Sequence, residues 1–112
     1  MVITDKKCLP CEGFGAAMDK QTAMAMMSEV KGWSLNDAGT EISRDIEFKN
    51  YYQTIAFVNA IAWLAHQENH HPNLEVGYNH CLIKYTTHAL QGLSENDFIC
   101  AAKVNLLHPS VS

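Results

Sequence analysis

The stretch Glu68-Asn69-His70-His71-Pro72 follows a long apolar segment and marks the point where that segment must end. Proline disfavours helical backbone at the residue before it, so the sequence predicts a helix that ends near Asn69 and an extended segment from His71. The imidazoles of His70 and His71 therefore need not point the same way. Because histidine has an unperturbed pKa near neutrality, such a cluster indicates acid/base chemistry or metal binding.

The segment before this stretch predicts a helix from about Tyr51 to Asn69, with Asn50 as its N-cap. A helix that only covers a sheet needs one apolar stripe. This helix carries two adjacent stripes, and the extra breadth predicts a homo-oligomeric interface, which a monomeric sizing profile at micromolar concentration would contradict. The first stripe comprises Ile55, Val58, Ala62 and Ala65, and the second comprises Phe57, Ile61 and Leu64.

Alternating apolar and polar residues on both sides of this helix predict two antiparallel hairpins. Their strands comprise residues 33–36 and 41–48, then residues 74–78 and 80–88. A first helix is expected from Asp19 or Thr22, with Thr22 a candidate N-cap. A last helix follows Ser94, its predicted N-cap, with Asp97 at the position from which a carboxylate can reach back to the cap. The pattern predicts an α+β fold of order αββαββα, a four-stranded antiparallel sheet with helices packed on one face.

Residues 1–15 are predicted to be an irregular leader, and residues 16–112 a single domain. The leader contains Cys8-Leu9-Pro10-Cys11, a spacing found in zinc half-sites and in redox pairs. The other two cysteines, Cys81 and Cys100, lie far along the chain, on a predicted strand and a predicted helix. Ordinary reduced thiols are the favoured interpretation of all four.

The composition favours a folded globular protein, since 47% of the 112 residues are hydrophobic and 18% are charged. The formal net charge of −4 comes without any run of lysine or arginine, which argues against nucleic-acid binding driven by charge. The most apolar segment, Ile55 to Ala65, is too short to span a bilayer, and the first residues lack the apolar run of a signal peptide. A soluble, cytoplasmic protein is expected.

Several short motifs together resemble the signature of the pterin-4a-carbinolamine dehydratase family. They are Glu68 to Pro72, Tyr78-Asn79, Thr87-His88, Gly92-Leu93-Ser94-Glu95 and Asp97. The resemblance extends over essentially the whole chain through Gly32-Trp33, Phe48-Lys49-Asn50-Tyr51 and the Cys8/Cys11 leader, which is similar to bacterial members. It implies a hydro-lyase that converts 4a-hydroxytetrahydropterin to quinonoid dihydropterin and water, and so recycles tetrahydrobiopterin for an aromatic amino acid hydroxylase. It also implies a dimer or tetramer that needs no metal or redox cofactor.

Site residues follow from the resemblance position by position. The catalytic residues that it implies are His70, His71, His88 and Asp97, with Asp97 orienting an imidazole, and the substrate-binding residues are Glu68, Pro72 and Thr87. The chain departs from many members at His66, where an acidic residue is common, and at Leu74, where an aromatic residue is common. These departures bear on the orientation of the histidine pair and on the floor of the pterin pocket.

Two other classes of function remain open on the sequence alone. His66 and His70 lie at i and i+4 on one helical face, so with His88 as a third ligand they could form a zinc site. In zincins, however, the glutamate directly follows the first histidine, whereas Glu68 comes one residue later. The second alternative is a non-catalytic binding module, a dimerisation cofactor for a regulatory protein. Metal content and capture of a regulatory partner would distinguish these alternatives.

Overall fold

The computed structural model describes residues 2–10 and 14–111 and has the predicted order αββαββα. Its elements are α1 (Lys20–Met26), β1 (Ser34–Leu35), β2 (Ile42–Glu47), α2 (Tyr51–Glu68), β3 (Asn73–Val76), β4 (His80–Tyr85) and α3 (Glu95–Val111). The four strands form one antiparallel sheet in the order β1-β2-β4-β3. The α+β prediction is therefore confirmed. No helix within residues 2–10 and 14–111 is both long and apolar enough to cross a membrane.

One face of the sheet is buried, because successive residues of a strand point to opposite faces. The buried positions are Ile42 and Ile46 on β2 and Cys81, Ile83 and Tyr85 on β4. In the register of these two central strands, Ile46 lies opposite Cys81 and Ile42 lies opposite Tyr85. Asp45 and Glu47 alternate with the buried residues of β2 and are exposed. The helices thus cover one face only, as the pattern predicts.

The central helix, α2, begins and ends where the sequence predicts. The Asn50 side chain accepts a hydrogen bond from the Gln53 backbone N–H at 2.9 Å, which caps the N-terminus. Asn69 follows the last helical residue in the left-handed conformation, with φ 52°. Of the two apolar stripes, Phe57, Ile61 and Leu64 are buried in the core, whereas the other stripe is half-buried or exposed.

Two local predictions are wrong. The N-cap of α1 is Asp19, whose carboxylate accepts the Thr22 backbone N–H at 2.7 Å, so Thr22 lies inside the helix. Strand β4 ends at Tyr85 and does not reach His88. The Thr87 N–H bonds instead to the Gly92 carbonyl at 2.8 Å, which closes a loop in which residues 88–90 form a 3₁₀ turn.

Residues 2–10 of the leader pack along α3 and contain one 3₁₀ turn, at Ile3–Asp5. Its backbone is fixed at Leu9, whose N–H donates to the Asn96 Oδ1 at 2.9 Å and whose carbonyl accepts from the Asn96 Nδ2 at 2.7 Å. Lys6 pairs with Glu95 at 3.1 Å. Cys11 lies outside the described residues, so the favoured interpretation of Cys8 and Cys11 as reduced thiols stays a prediction.

Candidate active site

A cavity of about 170 Å³ lies between the end of α2 and the loop after β4. Its lining residues are Asn69, His70, His71, Thr86, Thr87, His88 and Ala89. The fold therefore brings together all three of the histidines that the sequence predicts for the site. His71 and His88 are exposed, whereas His70 is only 8% exposed. The two neighbouring histidines thus differ in environment, as the proline after them predicts.

His70 is held by Asp97, across 27 residues of sequence. The His70 Nε2 lies 2.6 Å from the Asp97 Oδ1, and the carboxylate is fully buried. Because an ionised carboxylate can only accept, Nε2 is the donor, and a neutral His70 then carries its lone pair on Nδ1. The His70 ring also stacks on Tyr85, with centroids 5.8 Å apart and planes 9° from parallel. These contacts fix both the tautomer and the orientation of this imidazole.

The second oxygen of Asp97 is equally engaged. It accepts the Thr87 hydroxyl at 2.8 Å and the Ser94 backbone N–H at 2.9 Å. The Ser94 hydroxyl lies 2.8 Å from the Thr87 Oγ1, and since the Thr87 proton points to Asp97, Ser94 is the donor there. With His70, three donors satisfy a carboxylate that has no access to water, which is what a buried charge requires. The predicted reach of Asp97 back to Ser94 is confirmed.

The three residues predicted to bind substrate lie differently with respect to the cavity. Thr87 lines the cavity, but it is 1% exposed and its hydroxyl points to Asp97. Glu68 is buried, with its carboxylate bound to the Cys8 backbone N–H and the Lys103 Nζ, both at 2.9 Å, and does not line the cavity. Pro72 is half-buried just beyond the lining residues. Substrate contact by these three residues stays a prediction.

The structure adds site residues that the sequence reasoning missed. Asn69, Thr86 and Ala89 line the cavity, and Tyr85 supports the ring of His70. The conformation of Asn69 could have been predicted from the sequence, because asparagine at the end of a helix is suited to the left-handed conformation found here. For Tyr85, the sequence predicts the inward face of β4 but not the contact with His70.

The alternative zinc ligand His66 lies on the exposed side of α2, where its ring packs 5.8 Å from that of Trp63. It does not line the cavity. Across the described part of the chain, no group of three or more His, Cys, Asp or Glu side chains is placed to hold a metal ion. His66 and His70 share a helical end in sequence but not a site in this structure.

Glu68 is a buried ionised carboxylate that ties the leader to α2 and α3. Burial disfavours its charged form, but the Cys8 N–H and the Lys103 ammonium outweigh burial and hold the pKa of Glu68 below its ordinary value. Replacing Glu68 by glutamine is therefore expected to lower the free energy of unfolding at neutral pH by about 1–3 kcal/mol.

The contribution of Glu68 should depend on pH in a defined direction. A depressed folded-state pKa adds stability that is complete above the unfolded-state pKa, about 4.3, and is lost as pH falls through the folded-state pKa. Urea unfolding should therefore show a gap between wild type and Glu68→Gln that closes in acid. The matched control is Glu75→Gln, which removes an exposed partner of Lys84 and should cost less than about 1 kcal/mol. An equal difference in the free energy of unfolding between wild type and Glu68→Gln at neutral and acid pH would contradict this account.

The protein is a small α+β domain whose sheet is covered on one face. Its buried Asp–His pair lies at a cavity that two more histidines line, and this arrangement is suited to acid/base chemistry. The model of the pterin 4 alpha carbinolamine dehydratase family matches residues 16–107. The chain belongs to this family. It is 57% identical over 106 residues to a protein of Nitrosomonas eutropha named "Putative pterin-4-alpha-carbinolamine dehydratase", a match that covers 94% of this chain and 92% of the relative.

Two solved structures share the fold. The structure of a transcriptional coactivator/pterin dehydratase from Brucella melitensis matches with a TM-score of 0.77 at 25% identity, covering 81% of this chain and 97% of that one. A pterin dehydratase-like protein described as a RuBisCO assembly factor in the alpha-carboxysome matches with a TM-score of 0.59 at 27% identity, covering 68% and 88%. The fold therefore occurs in proteins whose descriptions name different functions.

Proposed function

We propose that the protein dehydrates 4a-hydroxytetrahydropterin to quinonoid dihydropterin and water. The observation that carries this proposal is the buried His70–Asp97 pair at a cavity that His71 and His88 also line. Family membership supports a pterin as the substrate class. The geometry supports acid/base work, because one imidazole is rigidly held and two are exposed, where they can exchange protons with solvent.

The reaction needs two proton transfers. The bond between C4a and the hydroxyl oxygen breaks as that oxygen receives a proton, and the adjacent ring nitrogen loses a proton as the C=N bond forms. His71 and His88 are proposed to act as the acid and the base, each typically worth about 10²–10⁴-fold in rate. His70, held by Asp97, is proposed to hydrogen-bond and orient the substrate. Glu68, Pro72 and Thr87 remain the proposed substrate-binding residues.

Self-association is the second part of the proposal. Tyr52 and Trp63 on α2 are 83% and 62% exposed, a large apolar area for one helix. A groove of about 400 Å³ on the same helix is lined by Tyr51, Tyr52, Ile55, Ala56 and Asn59. These features support the dimer or tetramer expected from the breadth of the apolar surface on this helix. We further propose that the protein is cytoplasmic and recycles tetrahydrobiopterin for an aromatic amino acid hydroxylase.

A dehydratase assay tests the proposed activity. Chelator-treated protein is added to freshly generated 4a-hydroxytetrahydropterin, and its decay to quinonoid dihydropterin is followed against the spontaneous rate. We expect strong acceleration that survives the chelator. Acceleration that the chelator abolishes and zinc restores would replace the proposal by a zinc site. No acceleration by folded protein would reject the enzyme assignment.

A binding module is the second candidate function, favoured by one observation. The structural relative described as a RuBisCO assembly factor shares the fold and part of the sequence. If this chain is a binding module and not an enzyme, the folded protein should fail to accelerate the dehydration. A protein partner should then be captured through its surface. A normal dehydratase rate together with no captured partner would reject this candidate.

A further inference from the structure

The leader places one cysteine against another on α3. The Cys8 Sγ lies 3.5 Å from the Cys100 Sγ, across 92 residues of sequence. Cys8 is half-buried and Cys100 is fully buried. We propose that Cys8 and Cys100 are a disulfide site, which locks the leader onto α3 when the protein meets a small-molecule disulfide oxidant.

The backbone around Cys8 is already held in place for this bond. The Cys8 N–H donates to the Glu68 Oε1 at 2.9 Å, and Leu9 makes its two hydrogen bonds with the Asn96 side chain. A disulfide has its sulfurs about 2.05 Å apart, so the two sulfurs need to approach by only about 1.5 Å.

The chemistry is ordinary thiol–disulfide exchange. One cysteine, as its thiolate, attacks a sulfur of the oxidant and releases the first small thiolate. The other cysteine loses its proton and displaces the second small thiolate, which forms the Cys8–Cys100 bond. The two protein thiols thereby lose two electrons and two protons, and the oxidant becomes two thiols. A hydrogen bond to Cys100 and burial raise the pKa of Cys8 above its ordinary value, so the exchange should be slow at neutral pH and faster in alkali.

Two other bridges compete with this assignment. Cys11 is three residues from Cys8 in sequence, and Cys81 is buried on β4. Tryptic peptides separate these possibilities, since cleavage after lysine and arginine places Cys8 and Cys11 in residues 8–20, Cys81 in residues 50–84 and Cys100 in residues 85–103. A bridge within residues 8–20, a bridge to residues 50–84 and a bridge to residues 85–103 therefore give different masses, and serine variants distinguish Cys8 from Cys11.

The experiment treats the whole protein with oxidised glutathione, blocks remaining thiols with N-ethylmaleimide in denaturant and maps the tryptic peptides without reduction. We expect residues 8–20 linked to residues 85–103. This link should persist in Cys11→Ser and disappear in Cys8→Ser. A bridge confined to residues 8–20, a bridge to residues 50–84, or alkylation of both Cys8 and Cys100 after treatment at pH 8 to 9 would overturn the proposal.

A second measurement tests whether the bond locks the native arrangement. Closing a loop of this length constrains the unfolded chain, so oxidised Cys11→Ser should melt about 5–15 °C above the same variant treated with dithiothreitol. Cys8→Ser carried through the same treatments should show no such difference. An unchanged or lower Tm for oxidised Cys11→Ser would show that the bond strains the fold and would contradict the proposal. Neither readout depends on the dehydratase activity.

Discussion

Replacing Asp97 by asparagine is expected to lower dehydratase turnover by about 10²–10⁴-fold. Three donors point at the Asp97 carboxylate, from His70, Thr87 and Ser94. An asparagine side chain offers one acceptor oxygen and one NH₂ group, so it cannot accept from both sides. If its NH₂ group faces His70, the imidazole must change tautomer, and if it faces Ser94 and Thr87, two buried donors lose their acceptor.

The same substitution should also destabilise the fold. A buried donor left without a partner costs about 1–3 kcal/mol, which urea unfolding would detect. Turnover by stopped flow and the ¹⁵N shifts of the His70 ring then separate the two effects, because a purely structural role would leave the tautomer of the folded fraction unchanged. Glu95→Gln is the matched control, since it removes a carboxylate from the same helical turn but one that is partly exposed and bound to Lys6. Wild-type turnover in Asp97→Asn would contradict the role of the pair.

The elements of the fold were predictable because their signals are local. Asn50 caps the Gln53 N–H three residues on, the Asp97 carboxylate reaches back three residues to the Ser94 N–H, and a period of two marks β2 and β4. The error at Thr22 was a choice between two N-cap candidates three residues apart, whereas the error at the end of β4 arose where a longer contact decided the outcome. The Thr86 hydroxyl bonds to the Thr40 carbonyl at 2.7 Å, across 46 residues, at the point where β4 stops.

The residues of the candidate site could be predicted from the sequence, but most of the contacts between them could not. Nothing local indicates that Glu68 turns to Cys8, 60 residues away, or that the Thr87 hydroxyl points to Asp97. The departure at His66 was expected to affect the orientation of the histidine pair. In this structure Asp97 and Tyr85 orient His70, while His66 packs beside Trp63. The orientation of His70 therefore does not rest on position 66.

Replacing His88 by glutamine should lower turnover, as Asp97→Asn does, but should leave the stability of the fold unchanged. His88 lines the cavity from an exposed 3₁₀ turn and is not part of the core, so the free energy of unfolding should stay within about 0.5 kcal/mol of wild type. Glutamine keeps a polar side chain but cannot transfer a proton near neutral pH. Turnover is therefore expected to fall by about 10²–10⁴-fold.

The control for this variant is a histidine outside the cavity on the same stretch of chain. His80 begins β4 and its Nδ1 lies 3.1 Å from the Asp45 Oδ1 on the open face of the sheet, so His80→Gln should leave turnover unchanged. Comparing the turnover of the two glutamine variants shows whether activity depends on His88 in particular or falls when any histidine is replaced. Full activity in His88→Gln, with Asp97→Asn still impaired, would remove His88 from the proton transfers and leave His71 with the held His70 as the pair to test.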